Sequence, residues 1–219
     1  MPSQPPHVGC YQYAPFELPQ RRRSDCLTRR ELHAAAFWHS FPVLMKNYDF
    51  AAKFRAIYDQ AVALYAKGQR DASSYFDATQ LAFLAANGIT AQHLYDYAED
   101  QLNGGEPGYD NALAIELVRR DYFLNVQGGR ASTTVLDESK LPAKTAAVQG
   151  IEWLPRIIPK AKAKLRGEMP ASLMYSCGGD RRFLRTNDIL AAEFLSLVWR
   201  HENNDAAIID WVVKRSAGK

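Results

Sequence analysis

A basic stripe opens a predicted helix in the C-terminal third of the chain. Arg156, Lys160 and Lys164 follow one another at every fourth position, which places them on one face of a helix. Arg156 falls in the first turn, directly behind Pro155, where free backbone N–H groups favour an anion and a guanidinium can bind a carboxylate through two hydrogen bonds. We interpret Arg156 and Lys160, together with Arg181 further along the chain, as ligand-binding residues for a small anion. The alternative is an amphipathic surface helix with a solvated basic face.

A glycine-rich turn, YSCGGDR at 175–181, follows that helix. Paired glycines allow positive φ or a close approach of the backbone to another group. If Arg181 converges with the basic stripe here, Cys177 lies in an electropositive setting and becomes a candidate nucleophile. Asp180 is the other candidate for a reactive group, and Tyr175 a hydrogen-bond donor to the ligand. The structural alternatives are a small buried hydrophobe for the cysteine and a helix cap for the aspartate.

A second candidate site lies on an acidic helix, QHLYDYAEDQL. His93, Asp96 and Asp100 are spaced three and four residues apart and therefore share one face, a geometry that supplies metal ligands in helical bundles. A second helix would have to add ligands, for which Glu116 and Asp121 are candidates. This pattern predicts a divalent-metal site of a hydrolase, with a solvated acidic face as its alternative. No other cofactor is predicted.

The elements that position these residues are helical. Cap signals, glycine stops and apolar residues near the 3.6-residue period predict an all-α fold of about eight helices. The predicted helices begin at Thr28, Asp49, Asp77, Thr90, about 109, about 155, Asp188 and Asp205. The segments 132–136 and 173–176 are predicted to form one short β pair.

Three regions are expected along the chain. Residues 1–20 hold five of the eleven prolines and predict an extended arm, which could join two copies into a homo-oligomer. Residues 21–130 form a helical N-terminal half, and residues 151–219 a helical C-terminal half that shares its core. The irregular, polar stretch 130–153 is the predicted boundary.

Composition narrows the classes of function. The net charge of +3 is small for a nucleic-acid-binding protein, and the basic residues are spread over several segments. No apolar run approaches the length of a membrane span, and the N-terminus lacks a secretory apolar region. The three cysteines are an odd number without a CxxC pair, which favours the reducing cytoplasm.

Residues 151–215 resemble DUF5069, a bacterial domain family of unknown function. The resemblance rests on LPRIIPKAKAKLRG at 154–167, on MYSCGGDRRFL at 174–184 and on DAAIIDW at 205–211. The pattern positions carried over are Leu154, Pro155, Arg156, Lys160, Tyr175, Cys177 and Asp180, and the family assigns no catalytic role to them. The glycines at 178 and 179 depart from the larger residues expected there.

These observations lead to three hypotheses. The first is a pocket between the two halves that binds a small anionic organic molecule, with the question of a reaction left open. The second is the metal-dependent hydrolase. The third is a non-catalytic interaction module that docks through residues 1–20.

Overall fold

The computed structural model describes residues 47–218, and within this range the chain forms eight α-helices. Their bounds are α1 Phe50–Ala66, α2 Ala78–Ala86, α3 Ala91–Gly104, α4 Tyr109–Asn125, α5 Leu154–Arg166, α6 Gly178–Thr186, α7 Ala191–Arg200 and α8 Asp205–Ala217. The predicted all-α class is confirmed for this part of the chain. The predicted arm and the helix expected after Thr28 lie outside the described residues. Helix α6 was not predicted as a separate element.

Local capping explains where several helices begin. The side chain of Asp77 accepts a hydrogen bond from the backbone N–H of Gln80, whose side chain bonds back to Asp77. Thr90 caps α3 by accepting from the backbone N–H of His93 at 3.3 Å. Such caps satisfy N–H groups that the first turn of a helix leaves unpaired.

Two predicted caps are wrong. Asp188 has a left-handed backbone with φ 52° and lies in the tight connection between α6 and α7, so Leu190 is the residue that precedes α7. Asn204, and not Asp205, caps α8 by accepting from Ala207 at 3.1 Å. In both cases the prediction took the nearest acidic residue, whereas the path of the connecting turn decides which side chain faces the helix start.

The short β pair exists, but at a different place from the predicted one. Strands β1 (Ala147–Val148) and β2 (Ile151–Glu152) pair antiparallel. Between them, Gln149 and Gly150 both have positive φ, as a tight two-residue hairpin requires. The predicted partners, 132–136 and 173–176, are not strands. The backbone N–H of Leu136 instead donates to the carbonyl of Glu168.

The described residues belong to one compact unit with two hydrophobic clusters. One cluster joins α1, α2 and α3, and the other joins α5, α6, α7 and α8. Helix α4 contributes Ala112 to the first cluster and Ile115 and Tyr122 to the second. It is therefore the element that both clusters share. None of the helices between residues 47 and 218 is long and apolar enough to cross a membrane.

Candidate functional site

A cleft with a volume of about 1070 Å³ lies in the described part of the chain. The β hairpin, the first half of α5, and α6 form most of its walls, and all lining residues fall between 138 and 216. The cleft therefore lies within the C-terminal part, and not between the two halves where the sequence predicts a pocket.

Lys160 reaches this cleft from α5 and is almost fully buried, with 1% of its side chain exposed. Its Nζ lies 2.5 Å from Asp180 Oδ2 and 3.3 Å from Cys177 Sγ. Burial of an ammonium is costly unless the charge is paired and hydrogen-bonded, and both conditions hold here. The alternative of a solvated basic face is wrong for this residue.

Asp180 collects three hydrogen bonds. Besides Lys160, the backbone N–H of Ser176 donates to Oδ2 at 3.0 Å and the indole Nε1 of Trp153 donates to Oδ1 at 2.8 Å. Both of these further donors have left-handed backbones, with φ 71° at Trp153 and φ 67° at Ser176. Such conformations are costly for non-glycine residues and persist where the surroundings impose them. Asp180 is thus a buried anchor in the first turn of α6, and Cys177 occupies the cap position.

Neither Gly178 nor Gly179 has positive φ. Gly179 instead allows another side chain to approach the helix backbone closely. A Cβ atom on Gly179 would lie 2.4 Å from Cζ2 of Trp153, so the indole ring packs directly on the α6 backbone. Gly178 has no comparable neighbour, since its Cβ would meet only Arg181 Nη2 at 4.0 Å. Gly179 therefore lets Trp153 reach Asp180.

The sequence predicts Arg156, Arg181 and Tyr175 at one ligand site, but in the structure each has different partners. Arg156 lines the cleft and donates to the carbonyl of Pro142 at 2.7 Å. Arg181 lies outside the cleft, where it pairs with Asp100 at 2.6 Å and Glu106 at 2.8 Å. The hydroxyl of Tyr175 donates to the carbonyl of Ala191 at 2.8 Å.

Arg156 and Arg181 therefore do not meet. The cation beside Cys177 is Lys160, while Tyr175 joins the turn before α6 to the first residue of α7, and Arg181 joins α6 to α3.

Arg182 lines the cleft and was missed by the sequence reasoning. A signal for it existed, because Gly179, Arg182 and Thr186 are spaced three and four residues apart and share one face of α6. Trp153 was missed as well. No local pattern connects an indole to a carboxylate that follows 27 residues later.

A second buried ion pair lies one turn further along α5. Lys164 Nζ is 2.6 Å from Glu116 Oε1 on α4, and the hydroxyl of Tyr97 donates to the same oxygen at 2.8 Å. Burial alone would raise the pKa of Glu116, but the Lys164 ammonium and these hydrogen bonds hold it below its usual value. Lys164 thus joins α5 to α4 and to α3.

The predicted metal ligands are engaged elsewhere. His93 Nδ1 lies 3.5 Å from Glu116, and burial lowers the pKa of His93 to about 3, so the imidazole is neutral. Asp96 accepts a hydrogen bond from Gln92 at 2.7 Å, while Asp100 is bound by Arg181.

Between residues 47 and 218, no group of three or more His, Cys, Asp and Glu side chains is arranged to hold a metal ion. Asp121, the further ligand considered, is exposed and accepts from Asn125 at 2.5 Å.

Comparison with known proteins supports the resemblance seen in the sequence. No curated protein and no solved structure matches the chain. One family model does, and its match includes the cleft residues Trp153, Lys160 and Cys177 and the buried Asp180. The C-terminal part of the chain, residues 140–219, matches the family described as a domain of unknown function, DUF5069.

Proposed function

We propose that this protein binds a small organic anion in the cleft formed by the β hairpin, α5 and α6. The observation that carries the proposal is the charge of the cleft wall. Four cationic side chains line it, at positions 144, 156, 160 and 182, against two carboxylates at 138 and 152. Lys160 is neutralised by Asp180, which leaves a net positive charge.

Two of these cations are free to bind a ligand. Within the described residues, the side chains of Lys144 and Arg182 make no ion pair or hydrogen bond, and both are exposed. A guanidinium that has no internal partner can bind a carboxylate or phosphate through two parallel hydrogen bonds. Pockets for small organic molecules measure roughly 300–1,000 Å³. The cleft volume of about 1070 Å³ therefore suits an organic molecule and exceeds what an inorganic ion needs.

Thermal unfolding in the presence of candidate ligands tests the proposal. The panel contains mono-, di- and tricarboxylates and sugar phosphates, and the proteins are the wild type, Arg182→Ala and the control Arg200→Ala. Arg200 is exposed at the end of α7 and does not line the cleft. A ligand at 100 times its dissociation constant stabilises the folded protein by about 2.7 kcal/mol. We expect a rise in Tm with at least one organic anion, lost in Arg182→Ala and kept in Arg200→Ala. A rise that is equal in both variants, or no rise with any member of the panel, would overturn the proposal.

The other two hypotheses have less support. The hydrolase requires a ligand group that His93, Asp96 and Asp100 do not form in the described residues. The interaction module and the homo-oligomer depend on residues 1–20, which lie outside those residues, and remain predictions. The cytoplasmic location likewise remains a prediction from the cysteines.

A further inference from the structure

Cys177 is partly exposed in the cleft and hydrogen-bonded to a lysine, features that a cysteine with a purely packing role does not need. Its side chain lines the cleft and is partly exposed, whereas a structural cysteine is typically buried among apolar groups. Its sulfur receives a hydrogen bond from Lys160, a residue that is itself 1% exposed. A cysteine, a buried lysine and a buried aspartate thus form one connected cluster at a cleft of ligand size.

The Lys160 end of the Lys160–Asp180 ion pair lies beside the sulfur, with Nζ 3.3 Å from Cys177 Sγ. Asp180 is fully buried and its carboxylate lies 2.5 Å from Lys160 Nζ, so the two side chains form a buried ion pair within hydrogen-bond distance of the sulfur. Cys177 also immediately precedes the first turn of α6, where backbone N–H groups have no partner within the helix. A cation and a helix N-terminus next to a sulfur are the features that favour a reactive thiolate.

We propose that Cys177 is the nucleophile of this cleft and that Lys160 stabilises its thiolate for attack on an ester or thioester of an organic acid that carries an anionic group. The inference rests on the proposed function, because the cleft cations select the anionic group. The lysine stabilises the attacking sulfur through the hydrogen bond already present.

The reaction balances with water as the only co-reactant. The thiolate attacks the carbonyl carbon, the S–C bond forms, and the C=O π pair moves to oxygen, where N–H groups of the α6 first turn can bind it. When that pair returns, the bond to the alkoxide or thiolate leaving group breaks and the leaving group takes a proton from the Lys160 ammonium. Water then attacks the acyl-cysteine, the neutral lysine accepts its proton, and the S–C bond breaks to restore the thiolate. An ester and water become an acid and an alcohol, without oxidation or reduction.

Alkylation rates test the dependence of Cys177 on Lys160. The probe is iodoacetamide, a neutral reagent whose carbon is attacked by the thiolate while iodide leaves with the bonding pair. The test variant is Lys160→Met with Asp180→Asn, which removes both charges of the pair. The control is Lys164→Met with Glu116→Gln, which makes the same change one turn further along α5 and does not touch Cys177.

We expect the rate at Cys177, followed by peptide mass spectrometry, to fall about tenfold or more in the test variant, because a hydrogen bond from a charged donor is lost. The control variant should keep the wild-type rate. Equal rates in all three proteins would overturn the inference. If the test variant does not fold, the wild type decides the question, since Cys177 should react faster than glutathione at the same pH and a slower reaction would overturn the inference.

Two further probes test the substrate class. Mono-4-nitrophenyl succinate, an ester with a free carboxylate, should release nitrophenolate with the wild type but not with Cys177→Ala, and equal release by the two proteins, or no release by either, would overturn the ester reaction. Iodoacetate, the anionic counterpart of iodoacetamide, should be preferred by the wild type relative to free cysteine, and the preference should disappear in Arg182→Ala. If the preference is absent while the dependence on Lys160 remains, the proposed anion selectivity fails and the nucleophile stands.

Discussion

Asp180 is the residue that holds α5 and the turn before α6 together at the cleft. Its two oxygens receive hydrogen bonds from a lysine on α5, a backbone N–H just before α6 and the indole at the start of α5. A buried carboxylate with all these partners is stable, whereas removal of one partner leaves an uncompensated polar group in the core. The side chain therefore fixes both Lys160 and the turn that carries Cys177.

Gly179→Ala tests this arrangement at the level of one atom. The added Cβ would meet the ring of Trp153 at 2.4 Å, so the indole must move away from Asp180. We expect a loss of about 1–3 kcal/mol in the free energy of unfolding, the usual effect of overpacking. Urea denaturation is the measurement.

Gly178→Ala is the matched control for that substitution. Gly178 is the neighbouring residue in the same first turn, and its added Cβ would meet nothing closer than 4.0 Å. Because alanine is favoured over glycine in a helix by about 0.5–1 kcal/mol, this variant should be at least as stable as the wild type. Equal stability of the two variants would contradict the close packing of Trp153.

At the scale of elements, α5 is the helix that organises the C-terminal part. It carries two buried lysines one turn apart, and each has its own carboxylate on a neighbouring helix, Asp180 on α6 and Glu116 on α4. Replacement of one partner of such a pair costs far more than an exposed salt bridge contributes. The two lysines of the basic stripe thus set which helices pack against α5. Arg156, the third member, lines the cleft and has no carboxylate partner in the described residues.

Helix α3 carries Asp96, and the titration of this carboxyl group should change the free energy of unfolding. Burial is the largest cause that raises the pKa of Asp96 to about 7 from its ordinary value of 3.8, although Gln92 and Lys164 oppose this shift. Between these two values the folded protein binds more protons than the unfolded chain, so the free energy of unfolding falls as the pH rises. Above about pH 8 both states are ionised and the contribution is constant.

Asp96→Asn should remove this contribution and keep an acceptor for Gln92. We expect the stability of the variant relative to the wild type to increase from about pH 4 to about pH 7 and then to level off. Urea denaturation across this range is the measurement. His93, with its pKa lowered to about 3 mainly by burial, has the opposite effect below pH 6.5, but it is common to both proteins and cancels in the difference. A difference that does not change with pH would contradict the raised pKa of Asp96.

At the scale of the whole molecule, the range that matches DUF5069 does not coincide with a complete core. The match begins at residue 140, whereas α4 ends at Asn125 and still supplies Ile115 and Tyr122 to the cluster of α5 to α8. Glu116 of the same helix neutralises Lys164. The matched part therefore depends on a helix that precedes it.

A fragment of residues 140–219 should consequently fail to unfold cooperatively. It exposes the apolar surface that α4 covers and leaves Lys164 without its carboxylate. Breaking that ion pair alone costs about 3–5 kcal/mol, whereas the free energy of unfolding of a typical domain is about 5–15 kcal/mol. A fragment of residues 105–219, which keeps α4, should regain a cooperative transition. Circular dichroism during heating measures both, and an equally sharp transition in the shorter fragment would contradict the role of α4.

Local signals in the sequence determined where most helices begin and end. Thr90 and the Asp77 capping box, Pro155 at the start of α5 and Gly167 at its end act on groups within one turn, so no knowledge of the fold is needed to predict them. The all-α class followed from such signals.

Tertiary structure alone decided the partners of the charged side chains. Lys160 was predicted to be a ligand-binding residue and is paired with Asp180, while Arg181 was expected at the same site and is bound by Asp100 instead. His93 and Glu116, which the sequence offers to a metal, lie beside Lys164. The physical reason is that an ion pair in a core depends on which helices meet and on how much water they exclude, and neither quantity is contained in the spacing of residues along one helix.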